Sequence, residues 1–128
     1  MKNKYSALYG NLPENDLWEG CFCEKLAEYG IWDENEFWKL HFDLTQIGID
    51  EDDENISKDL AAVIVKTYVR ISSLITAHFD EQDAFFISNL NRHQLQSFTE
   101  RLNLATTAAF TGDVLDESSF DLKNPLIK

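Results

Sequence analysis

The chain has 128 residues, 44% hydrophobic and 27% charged, a composition typical of one ordinary globular domain. Asp and Glu number 23 against 11 Lys and Arg, giving a formal net charge of −12 at pH 7. Nucleic acid and anionic membranes bind positive surfaces, so we expect neither as a partner. No secretory signal is recognisable, and the unbroken apolar stretches are shorter than a membrane span. We therefore expect a single cytoplasmic domain over residues 1–128.

The first predicted helix begins near Asn15 or Asp16, after Pro13, and ends at Gly30. Its apolar residues recur three or four positions apart, as they do along one face of a helix. The residues on this face are Trp18, Cys21, Phe22, Leu26 and Tyr29. If Gly20 is interior, it weakens this helix by about 1 kcal/mol relative to alanine.

The second predicted helix is marked at both ends. Asp33 followed by Glu36 has the spacing of a capping box, in which each side chain accepts a hydrogen bond from a free backbone N–H. Gly48 is the predicted end of this helix. The adjacent Phe37 and Trp38 cannot both point inward from one helix, so one of them must face another element, solvent or a partner.

Five adjacent carboxylates follow the second helix. Their mutual repulsion favours an exposed loop, and negative charge is also favourable ahead of the N-terminus of the next helix. Two interpretations stay open for this run: a solvated loop, and a patch that steers a basic partner toward association rates of roughly 10⁸–10⁹ M⁻¹s⁻¹. The run consists of Asp50, Glu51, Asp52, Asp53 and Glu54.

The third predicted helix extends from about Ser57 to His78. Its β-branched residues make a strand around 62–69 the main alternative, but the helical period continues to Ile75. The last predicted helix begins after an N-cap at Asn91 and ends at Gly112. An irregular tail covers 113–128. The sequence thus predicts an all-α, compact single-domain bundle of four to five helices, with an α+β fold containing a strand at 62–69 as the alternative.

Catalytic chemistry has no clear sequence signature in this chain. A Gly-rich phosphate loop, a nucleophile elbow and a His-Glu-x-x-His zinc motif are all missing, and the three histidines stand on separate segments. Cys21 and Cys23 are too close for an unstrained disulfide and lack a second pair to complete a metal site, so we expect two reduced, partly buried thiols. We predict no enzyme activity, no catalytic residues, no metal and no cofactor.

Partner binding is the expected function, and tryptophan is a common anchor of binding surfaces because it brings large area at low entropic cost. The predicted partner-binding residues are Trp32, Asp33, Trp38 and the run Asp50, Glu51, Asp52, Asp53 and Glu54. A nuclease is an obvious basic partner, because its substrate groove must be positive.

The segments Trp18-Glu-Gly-Cys-Phe-Cys-Glu-Lys-Leu26 and Ile31-Trp-Asp-Glu-Asn-Glu-Phe-Trp-Lys-Leu40 resemble a family of bacterial immunity proteins. Members of this family are encoded beside polymorphic toxins and contact-dependent growth inhibition systems. The resemblance implies a cytoplasmic protein that neutralises the C-terminal domain of a toxin, with an RNase of the EndoU type as the first expectation. The alternative is an acidic adaptor or a nucleic-acid-mimic regulator unrelated to a toxin.

Overall fold

The computed structural model describes residues 4–51 and 55–127. Within these ranges the chain forms five α-helices and no strand, which confirms the predicted all-α bundle. The helices are α1 (Ser6–Tyr9), α2 (Phe22–Tyr29), α3 (Glu34–Asp50), α4 (Lys58–Phe79) and α5 (Arg92–Thr111). The most extensive helix contact is between α3 and α5, while α1 and α2 each pack against both α3 and α4.

Short polar side chains fix the starts of the three long helices. Asp33, Ser57 and Asn91 each accept a hydrogen bond from the backbone N–H three residues later. At Asn91 the capping box is complete, because the Gln94 side chain accepts from the Asn91 backbone N–H. Gly112 ends α5 in the left-handed region with φ 80°, as predicted.

The predicted start of the first helix, near Asn15, is wrong. Residues 11–20 form a series of turns, and α2 begins only at Phe22, because Gly20 has a left-handed φ of 87° and Cys21 is the N-cap. The Cys21 Sγ accepts a hydrogen bond of 3.3 Å from the Glu24 backbone N–H. The short helix α1 lies ahead of these turns and was not predicted.

The predicted helix end at Gly48 is also wrong, since α3 continues to Asp50. A Cβ atom at residue 48 would lie 2.3 Å from the carbonyl oxygen of Ala108 on α5. Glycine is therefore required here by the close approach of two helices, and not by a turn.

The alternative of a strand at 62–69 is wrong, because these residues lie in the interior of α4. Among the helices of the described ranges, α4 is the one long and apolar enough to cross a membrane by length and composition. Its most apolar 18-residue window has a mean hydropathy of 1.5, and 33% of that window is buried. One such helix is weak evidence for a membrane span, because a helix of a globular core passes the same test.

An aromatic cluster forms the centre of the core, where α2, α3 and α5 meet. The contacting rings have centroids 4.7 to 5.6 Å apart, in edge-to-face and tilted arrangements that favour aromatic pairing. The members are Phe22, Trp32, Phe37, Trp38 and Phe98.

The tail, residues 113–127, is irregular apart from a 3₁₀ turn at Glu117–Ser119. Two buried polar residues attach it to the bundle. Arg101 on α5 forms an ion pair with Glu117, and Asn124 donates from Nδ2 to the carbonyl oxygen of Trp38 at 3.1 Å. The Arg101 guanidinium also lies 3.8 Å from the centroid of the Phe120 ring. These contacts hold the tail over α3 and α5.

Candidate functional site

Two tyrosines bind the carboxylates at one end of the bundle. Tyr5, just before α1, donates from its hydroxyl to Glu51 at 2.9 Å and lies 3.3 Å from Asp50, both at the end of α3. Tyr9 in α1 donates to Asp59 in the first turn of α4 at 3.1 Å. We call the set Asp50, Glu51 and Asp59 the acidic end.

Burial and the neighbouring carboxylates raise the pKa of both tyrosines. At Tyr5 burial acts together with the hydrogen bond and charge of Glu51 and the charge of Asp50, and at Tyr9 with the hydrogen bond to Asp59. Both hydroxyls therefore stay protonated and act as hydrogen-bond donors at neutral pH. Sequence reasoning missed these two tyrosines, although their i, i+4 spacing would place them on one face of a helix.

The acidic end is partly at odds with helix electrostatics. Carboxylates at a helix C-terminus face the negative end of the helix dipole, an arrangement that is typically unfavourable by about 0.3–1 kcal/mol. Asp50 and Glu51 occupy this position on α3. Asp59, in contrast, lies in the first turn of α4, where negative charge is favourable. Helix stability therefore explains why an acidic residue is favourable at position 59. It does not explain the acidic residues at positions 50 and 51.

The remaining residues of the predicted acidic run, Asp52, Asp53 and Glu54, lie outside the described residues. Tyr5 and Tyr9, four residues apart, hold Asp50, Glu51 and Asp59 at one end of the bundle. Partner binding by the run stays a prediction.

Trp32 and Trp38 lie in the aromatic cluster and not at the surface. Trp32 is 1% exposed and Trp38 is 4% exposed, so neither ring offers area to a partner in this structure. The reason is that the chain covers both faces of α3 in this region: Phe98 lies 5.5 Å from Trp38, and the tail reaches the Trp38 carbonyl through Asn124. Phe37 and Trp38 can both be buried because α5 and the tail cover different sides of α3.

Asp33 is partly buried and already engaged within the fold. Its side chain accepts from the Glu36 backbone N–H at 3.1 Å and from Lys25 at 2.7 Å. Burial alone would raise the pKa of Asp33, but these hydrogen bonds outweigh it and hold the pKa below the ordinary value. The carboxylate thus caps α3 and links it to α2, which explains its presence without a partner.

His41 is buried between α3 and the tail. Its Nδ1 lies 2.8 Å from Nδ2 of Asn124, an amide donor, so the ring proton is on Nε2. Burial, together with the positive charge of Arg101, lowers the pKa of His41 to about 4, against a smaller opposing effect of Glu117. The imidazole is therefore neutral at pH 7 in the folded protein.

This shift predicts a loss of stability in mild acid. The pKa of His41 is 6.5 when unperturbed and about 4 in the fold, so between these values the unfolded chain binds a proton that the folded chain does not. The free energy of unfolding should be unaffected by His41 above pH 6.5 and fall by roughly 3 kcal/mol toward pH 4. Urea unfolding of wild type and His41→Gln across this range measures the effect. We expect a flatter pH profile in the variant, and parallel profiles would contradict the account.

Cys21 and Cys23 are both free and buried, more completely than predicted. Burial raises the pKa of both thiols above the ordinary value. A protonated, inaccessible thiol is a poor nucleophile and a poor metal ligand. In the part of the chain that the structure describes, no group of three His, Cys, Asp or Glu side chains could hold a metal ion.

A shallow groove of about 540 Å³ runs between α2 and α4. Its floor includes Ala27, Val65 and Val69, and Lys66 and Arg70 lie along it. Catalytic pockets usually combine apolar walls with converging acid–base groups. This groove contributes two cations and no carboxylate or histidine.

Comparisons with known protein families, with curated proteins and with solved structures find no match to this chain.

Proposed function

We propose that this protein is an immunity protein that binds a basic toxin domain, with a nuclease as the first candidate, and neutralises it by stoichiometric occlusion of its active site or substrate groove. The observation that carries the proposal is the excess of negative charge, 23 carboxylates against 11 Lys and Arg. A surface of this kind favours encounter with a cationic groove and disfavours encounter with nucleic acid.

Ion pairs within the fold leave the net charge of −12 unchanged, but they engage several of the 11 cations. Among the described residues, four cations lie within ion-pair distance of carboxylates of their own chain: Lys25 of Asp33, Lys39 of Glu36, Arg101 of Glu117 and, at 4.0 Å, Lys4 of Asp50. Both ends of α4 then carry exposed carboxylates, with Asp50 and Asp59 at one end and the 80–83 connection at the other. A partner approaching either end meets exposed carboxylates, with Lys4 beside Asp50 at the first end and Arg92 beside Phe79 at the second.

The segment that resembles immunity proteins belongs to the interior of the fold. Trp32, Phe37, Trp38 and Leu40 are buried, and Asp33 caps α3. Residues with these roles specify the packing of α2 against α3. A shared motif of this kind supports a common architecture with immunity proteins, and the surface that recognises each toxin would then be formed by other residues.

Co-expression tests the proposal. The C-terminal domain of the large secreted protein expected to be encoded beside this gene is induced in a host cell with and without this protein. We expect the domain alone to stop growth and the pair to grow normally. Equal killing in both cultures would overturn the proposal.

A matched control separates binding from folding in this assay. Trp32→Ala, which destabilises the core, should weaken protection to the extent that the variant is unfolded, whereas Lys39→Ala on the surface should protect fully. Pull-down of this protein followed by mass spectrometry distinguishes the alternative, because an adaptor would capture a partner unrelated to the neighbouring gene.

A further inference from the structure

Four large apolar side chains are exposed close together at the end of the bundle opposite the acidic end. Tyr29 is 68% exposed, Phe86 63%, Phe79 43% and Ile31 37%. They come from three segments: the end of α2, the end of α4 and the connection between α4 and α5. We call these four residues the Phe86 patch.

A chain of contacts joins the members of the patch. Gly30, between Tyr29 and Ile31, lies so close to Phe86 that a Cβ atom at residue 30 would be 2.2 Å from the Phe86 carbonyl oxygen. The Phe86 ring stacks on His78, with centroids 5.3 Å apart, and the His78 ring is in turn 5.0 Å from that of Phe79. These contacts bring the Gly30 backbone, which Tyr29 and Ile31 flank, to the same part of the surface as the rings of Phe79 and Phe86.

The backbone beneath the patch is held in place by specific hydrogen bonds. The Ile87 backbone N–H donates to Nδ1 of His78 at 3.0 Å, and the Ser88 N–H donates to the Gly30 carbonyl at 2.9 Å. Asn89 pairs with both the N–H and the carbonyl of Trp32, each at 2.8 Å. A partner that binds here meets a preorganised surface, and less conformational entropy is lost on association.

The fold itself does not require an aromatic residue at position 86. Ile87 is fully buried and fixes the segment to the core, whereas the neighbouring Phe86 points outward. Single exposed apolar residues are normal, but contiguous aromatic ones with a polar rim are characteristic of protein interaction sites. Aromatic residues are also enriched among the residues that dominate binding energy.

The charged residues around the patch indicate the charge of a partner that would fit it. Asp80, Glu81 and Asp83 are all exposed in the connection that follows Phe79. The C-terminus of α4 adds its negative dipole at the same place. Arg92 lies 5.5 Å from the Phe79 ring, one cation against three carboxylates. An apolar surface with this rim is complementary to a basic protein that presents an apolar contact.

We propose that the Phe86 patch, with the rim Asp80, Glu81 and Asp83, is the surface that docks the basic toxin domain. The inference rests on the proposed function and changes the predicted location of the interface. The 22 residues of α4 separate the rim from the acidic end by about 33 Å. This distance exceeds the Debye length of about 8 Å at physiological salt, so Asp50 and Glu51 contribute little to a partner docked here.

Binding kinetics of purified full-length variants test the proposal. The probe is the toxin domain from the adjacent gene, made catalytically inactive and immobilised. Phe86→Ser should raise Kd by about 30-fold or more, because a central aromatic anchor is lost. The control Val69→Ser removes an apolar side chain that is 52% exposed in the groove between α2 and α4, outside the Phe86 patch, and should leave Kd within about twofold.

Charge variants test the rim separately. Asp80→Asn, Glu81→Gln and Asp83→Asn together keep the side-chain oxygens that accept the Gln82 and Phe85 backbone N–H groups, so the connection retains its shape. This triple variant should slow association about tenfold at low salt and flatten its salt dependence. Asp50→Asn with Glu51→Gln should leave the association rate within about twofold.

The outcomes separate the two proposals. If the wild-type protein does not bind the domain, the proposed function and the docking surface are both overturned. If wild type binds and Phe86→Ser leaves Kd unchanged, the docking surface alone is overturned. If the Asp50 and Glu51 variant slows association and the rim variant does not, the interface lies at the acidic end instead. Unchanged melting temperatures in the variants establish that the effects arise from binding.

Discussion

Replacing Arg101 with alanine is expected to lower the free energy of unfolding by about 3–5 kcal/mol, because it leaves the Glu117 carboxylate without its counter-ion in a largely buried position. The Arg101 side chain is 1% exposed and that of Glu117 12%. Within the described structure the guanidinium has no other side-chain ion pair, and its Nε and Nη1 have no hydrogen-bond partner. Urea unfolding measured by circular dichroism gives the change.

The Arg101→Ala substitution should also loosen the tail from the bundle. Glu117 also accepts the Asn124 backbone N–H at 2.8 Å, so its displacement frees the contacts of Asn124 with Trp38 and His41. Limited proteolysis should cut within 113–127 sooner in Arg101→Ala than in wild type. Lys39→Ala, which removes an exposed ion pair with Glu36, is the control and should change the free energy of unfolding by less than about 1 kcal/mol. A similar small change for Arg101→Ala would contradict this account.

Trp32→Ala is expected to lower the free energy of unfolding by about 3–5 kcal/mol, the range for deleting a large aromatic side chain from a core. The Trp32 ring contacts Phe22, Phe37 and Phe98, with centroids 4.7 to 5.3 Å apart, so the cavity would open where three helices meet. Since small domains are stable by only about 5–15 kcal/mol, the variant should melt at a markedly lower temperature.

Tyr29→Ala provides the contrast. This side chain lies only three residues away but is mostly exposed, and the change in the free energy of unfolding should stay within about 0.5 kcal/mol. Equal effects of the two substitutions would show that Trp32 does not anchor the core as described. The comparison also establishes that the Phe86 patch can be altered without unfolding the protein.

Local sequence rules predicted a helix where a capping residue and the helical spacing of the apolar residues indicated the same segment. Asp33 and Asn91 are short polar N-caps and Gly112 is a left-handed C-cap, and each acts through atoms within a few residues of itself. Gly48 has the same local signature as a helix stop, yet its role depends on Ala108, 60 residues away in sequence. Its meaning could not be found without the packing of α3 on α5.

Whether a candidate binding residue is buried or exposed depends even more on tertiary structure. Trp32 and Trp38 look like binding anchors when only their own segment is considered. They are buried because Phe22 and Phe98 pack on Trp32, and α5 and the tail cover Trp38. The sequence does not predict Phe86 as a binding residue, because the short apolar segment Phe85-Phe86-Ile87 does not reveal which residue faces outward. Only the docking of Ile87 and Asn89 on the bundle determines that Phe86 faces solvent.

Titration of toxin activity tests the central proposal most directly. A fixed amount of the active toxin domain from the adjacent gene is mixed with increasing amounts of this protein, and the remaining activity on its substrate is measured. Stoichiometric occlusion predicts a linear fall that reaches the baseline near an equimolar ratio, with Phe86→Ser requiring a large excess. Full activity in the presence of excess wild-type protein would contradict the proposed function.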